Sequence, residues 1–214
     1  MKKNSTKVAV VGDSRIFPRV EDDKKLDSSV NPCETFPNLL REKGITIDCY
    51  GYGGLTSRRI LNILGYLERS GYDYYILTFG IVDLAPRALR AYEVIILSKL
   101  GIRFGKKVNK FFRKYRKISR TNTKEFETVC KLIIDLIDKR KLVVFTNPYP
   151  ISESYEKIVP RIGEQIAIYN KILKNSFSNI IELDGYKVLS NDNIHFTVKG
   201  HKHIAANIRK FILK

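Results

Sequence analysis

Five short apolar runs, separated by segments with helical periodicity, constrain the fold of this chain more than any other feature. The runs cover residues 8–11, 45–50, 73–79, 142–145 and 179–183. Helical spacing of apolar residues follows at 56–69, 123–139, 161–175 and 198–213. A continuous apolar run is typical of a strand that is buried on both faces, and alternation with helices favours parallel pairing. We therefore predict an α/β fold with a five-stranded parallel sheet that helices cover on both faces.

The length and composition favour one ordered domain over residues 1–214. The chain has 214 residues, of which 43% are hydrophobic and 11% aromatic, so it is not of a disordered class. Its three cysteines, Cys33, Cys49 and Cys130, form no C-x-x-C pair, and we expect free thiols and no metal site. The sequence shows no signal peptide and no run of ~20 apolar residues, so we expect a cytoplasmic protein. Peripheral attachment to the inner membrane surface is the alternative location.

Three glycine-containing segments follow the first three predicted strands. They are Gly12-Asp13-Ser14, the turn at 51–54 and the segment at 80–83. Parallel strands end at the same edge of a sheet, and ligands bind at that edge in open α/β folds. These loops are therefore predicted to meet at one candidate site.

Ser14 and His195 provide a candidate nucleophile and its base. Ser14 lies at a strand-to-helix junction, where a hydroxyl is exposed and backbone amides can stabilise an anion, although Gly-Asp-Ser is also ordinary turn chemistry. His195 can accept a proton near neutral pH, and Asp192 can fix its tautomer. Gly54 can offer its N–H to an oxyanion, or merely form a tight turn. His201 and His203 are predicted to be surface residues of the last helix.

Together these segments resemble the sequence blocks of the SGNH/GDSL hydrolases. Gly12-Asp13-Ser14 resembles the first block, Gly54 fits the second, 80–83 stands at the third, and Asp192-x-x-His195 resembles the last. The resemblance implies a flavodoxin-like three-layer α/β/α sandwich and a Ser14–His195–Asp192 triad. It also implies an oxyanion hole that includes the amides of Ser14 and Gly54, with no metal and no organic cofactor.

One departure from the family pattern concerns the oxyanion hole. Val82 stands where the third block has an asparagine, and valine has no hydrogen-bond donor in its side chain. Removing one such donor typically costs about 2.7–4 kcal/mol of transition-state stabilisation. Arg15 and Arg87 are candidates to replace it or to contact an anionic substrate group, or are solvated surface residues. Asp83 is a further candidate substrate contact, and could also cap a loop or orient Arg87.

The segment 97–124 departs from the rhythm of strands and helices. Between Lys99 and Lys124 it has eleven Lys or Arg and no Asp or Glu, within a formal net charge of +17. Apolar residues recur there at steps of three and four, which predicts a basic amphipathic helical insertion. They are Leu97, Leu100, Phe104, Val108, Phe111, Tyr115 and Ile118. Such a helix binds an anionic membrane, a lipid-linked glycan or another polyanion, or packs its apolar stripe on the domain.

Two classes of function remain open at this point. The first is a serine esterase or O-acyltransferase that acts on an acylated, O-acetylated carbohydrate through an acyl-enzyme on Ser14. The second is a catalytically degenerate binding protein for an anionic glycan or a membrane surface, which Val82 favours. Charge alone suggests nucleic acid, but no RNA-binding signature accompanies Phe111 and Tyr115, so we do not expect a nucleic-acid partner. The sequence does not indicate an oligomeric state.

Overall fold

The computed structural model describes residues 5–19, 29–41, 44–101, 105–116, 118–190 and 192–213. Within these ranges five strands form one sheet. They are β1 (Thr6–Gly12), β2 (Ile45–Gly51), β3 (Tyr74–Thr78), β4 (Leu142–Phe145) and β5 (Ile180–Ile181). Their order is β2-β1-β3-β4-β5, and every neighbouring pair is parallel. The predicted five-stranded parallel sheet and the α/β class are confirmed.

Ten α-helices lie in the described residues. They are α1 (Phe36–Leu39), α2 (Ser57–Leu67), α3 (Ile81–Leu84), α4 (Ala91–Lys99), α5 (Lys106–Tyr115), α6 (Thr123–Leu136), α7 (Glu153–Ile158), α8 (Ile162–Ser176), α9 (Gly185–Val188) and α10 (Val198–Ile212). The long helices α2, α6, α8 and α10 stand where the apolar periodicity predicted them.

Two apolar cores, one on each face of the sheet, produce the three layers. Alternate residues of β1 enter opposite cores: Ala9 and Val11 face one, Val8 and Val10 the other. Buried side chains of α2, α6 and α8 complete the first core, and those of α1 and α10 complete the second. Because side chains alternate across a strand, an apolar run buried on both faces needs helices on both sides.

The basic segment is divided into two helices. The predicted stripe begins in α4, which ends at Lys99, and Gly101 follows with φ +67°, a left-handed conformation that ends a helix. The stripe continues in α5, while Phe104 lies outside the described residues. Val108, Phe111 and Tyr115 are exposed and do not pack on the sheet. Among the helices that the structure describes, none is long and apolar enough to cross a bilayer.

His201 occupies a core position, so the prediction that it lies on the surface is wrong. It is 2% exposed, stacks on Phe36 and accepts a hydrogen bond at Nδ1 from the Phe36 N–H, 3.1 Å away. In α10 it falls on the same face as the buried residues Ile204, Ala205 and Ile208. His203 is exposed, as predicted.

Candidate active site

The carboxyl end of β1 holds Ser14 in a tight turn. Gly12 ends the strand, and a Cβ there would lie 2.3 Å from Cγ2 of Thr78 on the neighbouring strand. Ser14 then begins a single turn of 3₁₀-helix, for which Asp13 is the N-cap and accepts from the Arg15 N–H at 3.0 Å. The close contact between strands and the cap together fix the backbone of Ser14.

Ser14, His195 and Asp192 form a continuous hydrogen-bonded triad. Oγ of Ser14 lies 2.8 Å from Nε2 of His195, and Nδ1 of that ring lies 2.7 Å from Oδ2 of Asp192. Ser14 and His195 are 181 residues apart in sequence, so only the fold brings them together. The distances are those of strong hydrogen bonds, and the order of groups is that of a nucleophile, a base and an orienting carboxylate.

Four further donors hold Asp192. Its Oδ1 accepts from the Ser190 hydroxyl at 2.8 Å and from the N–H groups of Ile194 and His195 at 2.9 Å each. Its Oδ2 also accepts from Nη1 of Arg19 at 2.6 Å. Burial raises the pKa of Asp192, but the hydrogen bonds from His195 and Ile194 outweigh it, and the pKa falls well below its usual range. The carboxylate is therefore ionised at neutral pH and anchored in place.

Arg19 is a site residue that no sequence pattern indicates. It lies five positions after Ser14, outside the recognisable motif, and reaches Asp192 because an antiparallel bridge pairs it with Val30. Its guanidinium donates to the same carboxylate oxygen, Oδ2, as the imidazole of His195, so it adds a charged donor to the triad.

The glycine turn after β2 lies beside Ser14. A Cβ on Gly53 would be 4.0 Å from Cβ of Ser14, and Gly54 has φ +78°, which glycine tolerates best. Within the described part of the chain, the N–H groups of Ser14 and Gly54 donate no hydrogen bond. Free amides at this position are compatible with the oxyanion hole that the sequence predicted.

Val82 is half-buried and packs against the apolar core that contains α2, α6 and α8. Its side chain cannot donate a hydrogen bond, so the position adds no side-chain donor to the two backbone amides of Ser14 and Gly54.

Arg15 lies beneath the site, which contradicts its predicted role as a substrate contact or replacement donor. It is 2% exposed, and its Nε and Nη2 donate to the two carboxylate oxygens of Asp13 at 2.9 Å each. Its Nη1 lies 3.5 Å from Oδ1 of the buried Asn147. The sequence analysis did not single out Asn147, which also bonds Asn170 and approaches Gly80. Both side chains therefore support the turn from below.

Asp83 is also buried, so the prediction that it contacts substrate is wrong. Its carboxylate accepts from the N–H and the hydroxyl of Ser57, at 3.0 and 2.8 Å, and from the Thr121 hydroxyl at 2.5 Å. Burial raises its pKa above the usual range, although the bonds from Thr121 and Ser57 oppose the shift. Asp83 thus caps α2 at its first residue, while the side chain of the N-cap residue Thr56 makes no capping hydrogen bond.

Among the three predicted substrate contacts, Arg15, Asp83 and Arg87, only Arg87 is not fully buried. It is half-buried and lines a cavity of about 760 Å³ with Arg90, Arg116 and Arg120. Burial lowers its pKa, and the charges of Arg120 and Arg113 lower it further.

Comparison with solved structures assigns the fold to a known class. A lipase/acylhydrolase from Enterococcus faecalis matches with a TM-score of 0.61 and 18% identity over 97% of this chain and 95% of its own. A carbohydrate acetylesterase family member from Sinorhizobium meliloti gives 0.62 and 12% over 98% and 100%. The acetylxylan esterase Axe2 from Geobacillus stearothermophilus gives 0.57 and 16% over 99% and 96%. No family model and no curated protein matches the sequence. The chain has the three-layer fold of the SGNH/GDSL hydrolases.

Proposed function

We propose that this protein is a serine esterase that acts on an O-acetylated carbohydrate through an acyl-enzyme on Ser14. The observation that carries the proposal is the unbroken chain of hydrogen bonds from Ser14 through His195 to Asp192. A buried serine or histidine can be structural, but this order of groups at the carboxyl edge of a parallel sheet is what acyl transfer needs.

In the proposed mechanism His195 is a general base and then a general acid. Nδ1–H donates to Asp192, which leaves Nε2 unprotonated and facing the Ser14 hydroxyl. As Oγ attacks the acyl carbonyl, its proton moves to Nε2, and the new imidazolium is stabilised by the Asp192 carboxylate. Nε2 then gives the proton to the leaving sugar oxygen. Water then attacks the acyl-enzyme and gives a proton to His195; the bond between the acyl carbon and Oγ breaks, Nε2 returns the proton to Oγ, and acetate is released.

The amides of Ser14 and Gly54 are the proposed donors to the oxyanion. Both are free within the described residues, and Gly54 lies next to the glycine that approaches Ser14. Preorganised amides stabilise the charge that develops on the carbonyl oxygen. Because Val82 adds no donor, we expect slower turnover than in an enzyme with a complete set.

The carbohydrate part of the proposal is supported by the solved structures that share the fold. Two of the three reported above are described as an acetylxylan esterase and a carbohydrate acetylesterase family member. A sugar hydroxyl in place of water would resolve the same acyl-enzyme by transfer, so the chemistry of the triad serves an O-acyltransferase equally.

A second candidate function is binding without catalysis, to an anionic glycan or a membrane surface. Val82 favours it, because loss of the third donor is a step by which a member of this fold would lose activity. The retained Ser14–His195–Asp192 geometry favours the esterase instead, since a binding protein has no need of an aligned base.

Turnover of 4-nitrophenyl acetate and of acetylated xylo-oligosaccharides tests the proposal. We expect Ser14→Ala and His195→Ala each to lower kcat by at least about 10⁴-fold, because the triad acts as a unit. The matched controls are Ser98→Ala and His203→Ala, which change exposed residues of the same types. Equal turnover in Ser14→Ala and wild type would reject the proposed nucleophile, and no turnover in any protein would favour the binding function.

A further inference from the structure

The cavity that Arg87 lines has more positive than negative side chains around it. Four arginines, Arg87, Arg90, Arg116 and Arg120, line about 760 Å³ together with one carboxylate, Glu125. This volume falls in the range of about 300–1,000 Å³ that is typical of small-molecule sites.

Two of the charges in this cavity are already paired. Arg116 donates to both carboxylate oxygens of Glu93, at 2.8 and 2.5 Å, and Glu125 forms an ion pair with Arg58 at 2.9 Å. Neither Arg87 nor Arg120 has an acidic partner within the described residues. The cavity therefore keeps a net positive charge that no side chain described in the structure neutralises.

Buried and unbonded guanidinium nitrogens add to this imbalance. Nε of Arg87 is inaccessible to solvent and has no hydrogen-bond partner among the residues that the structure describes, and the same is true of Nε of Arg113 on α5, which does not line the cavity. A buried donor without an acceptor is costly, and like charges held close together add repulsion. At Arg87 both effects act on the pKa of the guanidinium. Burial lowers this pKa, and the positive charges of Arg120 and Arg113 lower it further.

Backbone hydrogen bonds hold the arginines in position next to the candidate active site. The Arg87 N–H donates to Ile118 O at 2.7 Å, and the Arg120 N–H donates to Asp83 O at 3.0 Å. Asp83 in turn accepts from the N–H and the hydroxyl of Ser57, which lies three residues after Gly54. Arg120 is thus connected through Asp83 to the segment that follows the glycine turn beside Ser14.

We infer that the cavity lined by Arg87 and Arg120 binds an oxyanion, a carboxylate or a phosphate, carried by the saccharide whose ester Ser14 attacks. This inference rests on the proposed function for the position of the ester. Guanidinium groups bind planar carboxylates and phosphates through two parallel hydrogen bonds, and an anion would also relieve the repulsion between the arginines of the cavity. The substrate class is therefore an acylated acidic sugar or sugar phosphate.

Calorimetric titration of the Ser14→Ala protein measures this binding without turnover. The probes are trigalacturonate, glucose 1-phosphate and neutral xylotriose. We expect at least one anionic probe to bind about tenfold or more tightly than xylotriose, and the tighter of the two identifies the oxyanion. Arg87→Gln and Arg120→Gln should remove the preference. Arg69→Gln, which changes an exposed arginine after α2, should keep it.

Equal affinity for all three probes would overturn the inference, and so would a preference that survives both arginine variants. Arg120 is exposed, so Arg120→Gln decides the matter if Arg87→Gln does not fold. If anions bind in a way that depends on Arg87 but Ser14 proves unreactive, the cavity is an anion-binding site and only the esterase proposal is rejected.

Many apolar side chains are exposed on and next to α4 and α5. Half of the exposed large apolar side chains in the described residues fall between positions 92 and 115. They are Tyr92, Val94, Ile95, Ile96, Leu100, Val108, Phe111 and Tyr115. Phe111 and Tyr115 contact each other, with ring centroids 4.7 Å apart, and contiguous apolar exposure marks an interaction surface. We call these eight residues the α4–α5 surface.

Lysines adjoin the α4–α5 surface and indicate what covers it. On α5, Lys107, Lys110 and Lys114 recur at steps of three and four, beside Val108, Phe111 and Tyr115. The only acidic residue in either helix, Glu93, is paired with Arg116. A second copy of the chain would bring these lysines against one another, whereas an anionic surface complements them. We propose that the α4–α5 surface binds an anionic phospholipid bilayer.

Vesicle flotation tests this second proposal. We expect binding to phosphatidylcholine vesicles with about one-third phosphatidylglycerol, and little binding to pure phosphatidylcholine. The double variant Phe111→Ser/Tyr115→Ser should lower binding about tenfold, as should Lys107→Gln/Lys110→Gln/Lys114→Gln. Tyr66→Ser, at an exposed tyrosine of α2, should not. No binding to anionic vesicles would overturn the proposal. A dimer that the double variant dissociates, without vesicle binding, would assign the surface to a second copy instead.

Discussion

At the scale of single residues, the carboxylate of Asp192 connects most of the candidate site. Its two oxygens accept from Ser190, Arg19, the imidazole of His195 and two backbone amides. A carboxylate held by this many donors cannot rotate away, so the orientation of His195 is set by the fold before any substrate binds.

The position of Val82 gives the first prediction. We expect Val82→Asn to raise kcat for 4-nitrophenyl acetate by about 10²-fold, since an oxyanion donor contributes a factor of about 10²–10³ where one is removed. Steady-state kinetics measures the change. Adding Ser14→Ala to this variant should abolish the gain, and an unchanged or lower kcat in well-folded Val82→Asn would show that an asparagine at this position does not reach the oxyanion.

Residues of the triad could be predicted from sequence because each falls in a short motif with a known chemical role. Arg15 could not, because its burial depends on Asp13 below it and on Asn147 from a distant strand end. For His201 a signal existed: it shares the apolar face of α10 with Ile204 and Ile208. Hydrophobic periodicity should have outweighed its polarity.

At the scale of elements, Asp83 joins two parts of the chain that have no sequence relation. Its side chain caps α2 through Ser57, while its carbonyl accepts from the N–H groups of Arg120 and Thr121 just before α6. The chain that leaves Asp83 toward α4 and α5 therefore returns to Asp83 at Arg120 and Thr121, at the turn that follows β3.

The second prediction follows from this double attachment. We expect Asp83→Ala to lower the free energy of unfolding by about 3 kcal/mol or more, because three donors are left buried without an acceptor. Urea denaturation measures the loss. Asp138→Ala, which removes an exposed ion pair with Arg140, should cost much less, because solvent screens an exposed pair. A loss in Asp83→Ala no greater than in the control would contradict the structural role assigned to Asp83.

The strands and the long helices could be predicted because one hydrophobic pattern repeats over a whole strand or over several helical turns. The single-turn helices α1, α3 and α9 were not, because four residues hold too little periodicity to distinguish a helix from a turn. The division of the basic segment was indicated by Gly101, whose left-handed backbone ends α4.

At the scale of the whole molecule, one buried histidine links stability to pH. Burial lowers the pKa of His201 to about 4, while the charge of Glu34 opposes this shift and His195 lowers the pKa further. Its Nδ1 must stay unprotonated to accept from Phe36. Between its ordinary pKa of about 6.5 and about 4, the unfolded chain binds a proton that the folded protein does not, so stability falls as the pH decreases.

The third prediction is the size of this effect. Between pH 7 and pH 4, His201 should account for a loss of about 3 kcal/mol in the free energy of unfolding, at 1.36 kcal/mol per pKa unit. Urea denaturation of His201→Gln, which keeps an acceptor but does not titrate, should show a pH dependence reduced by that amount. His203→Gln should behave like wild type, because His203 is exposed. An unchanged pH dependence in His201→Gln would contradict the account.

The central claim is that the fold activates Ser14, and covalent labelling by a fluorophosphonate tests it most directly. Mass spectrometry of the labelled, proteolysed protein should find the adduct on Ser14, with no labelling in Ser14→Ala and strongly slowed labelling in His195→Ala. Labelling of wild type and Ser14→Ala alike, or an unlabelled Ser14 in correctly folded protein, would contradict the claim and favour a protein that binds without catalysing.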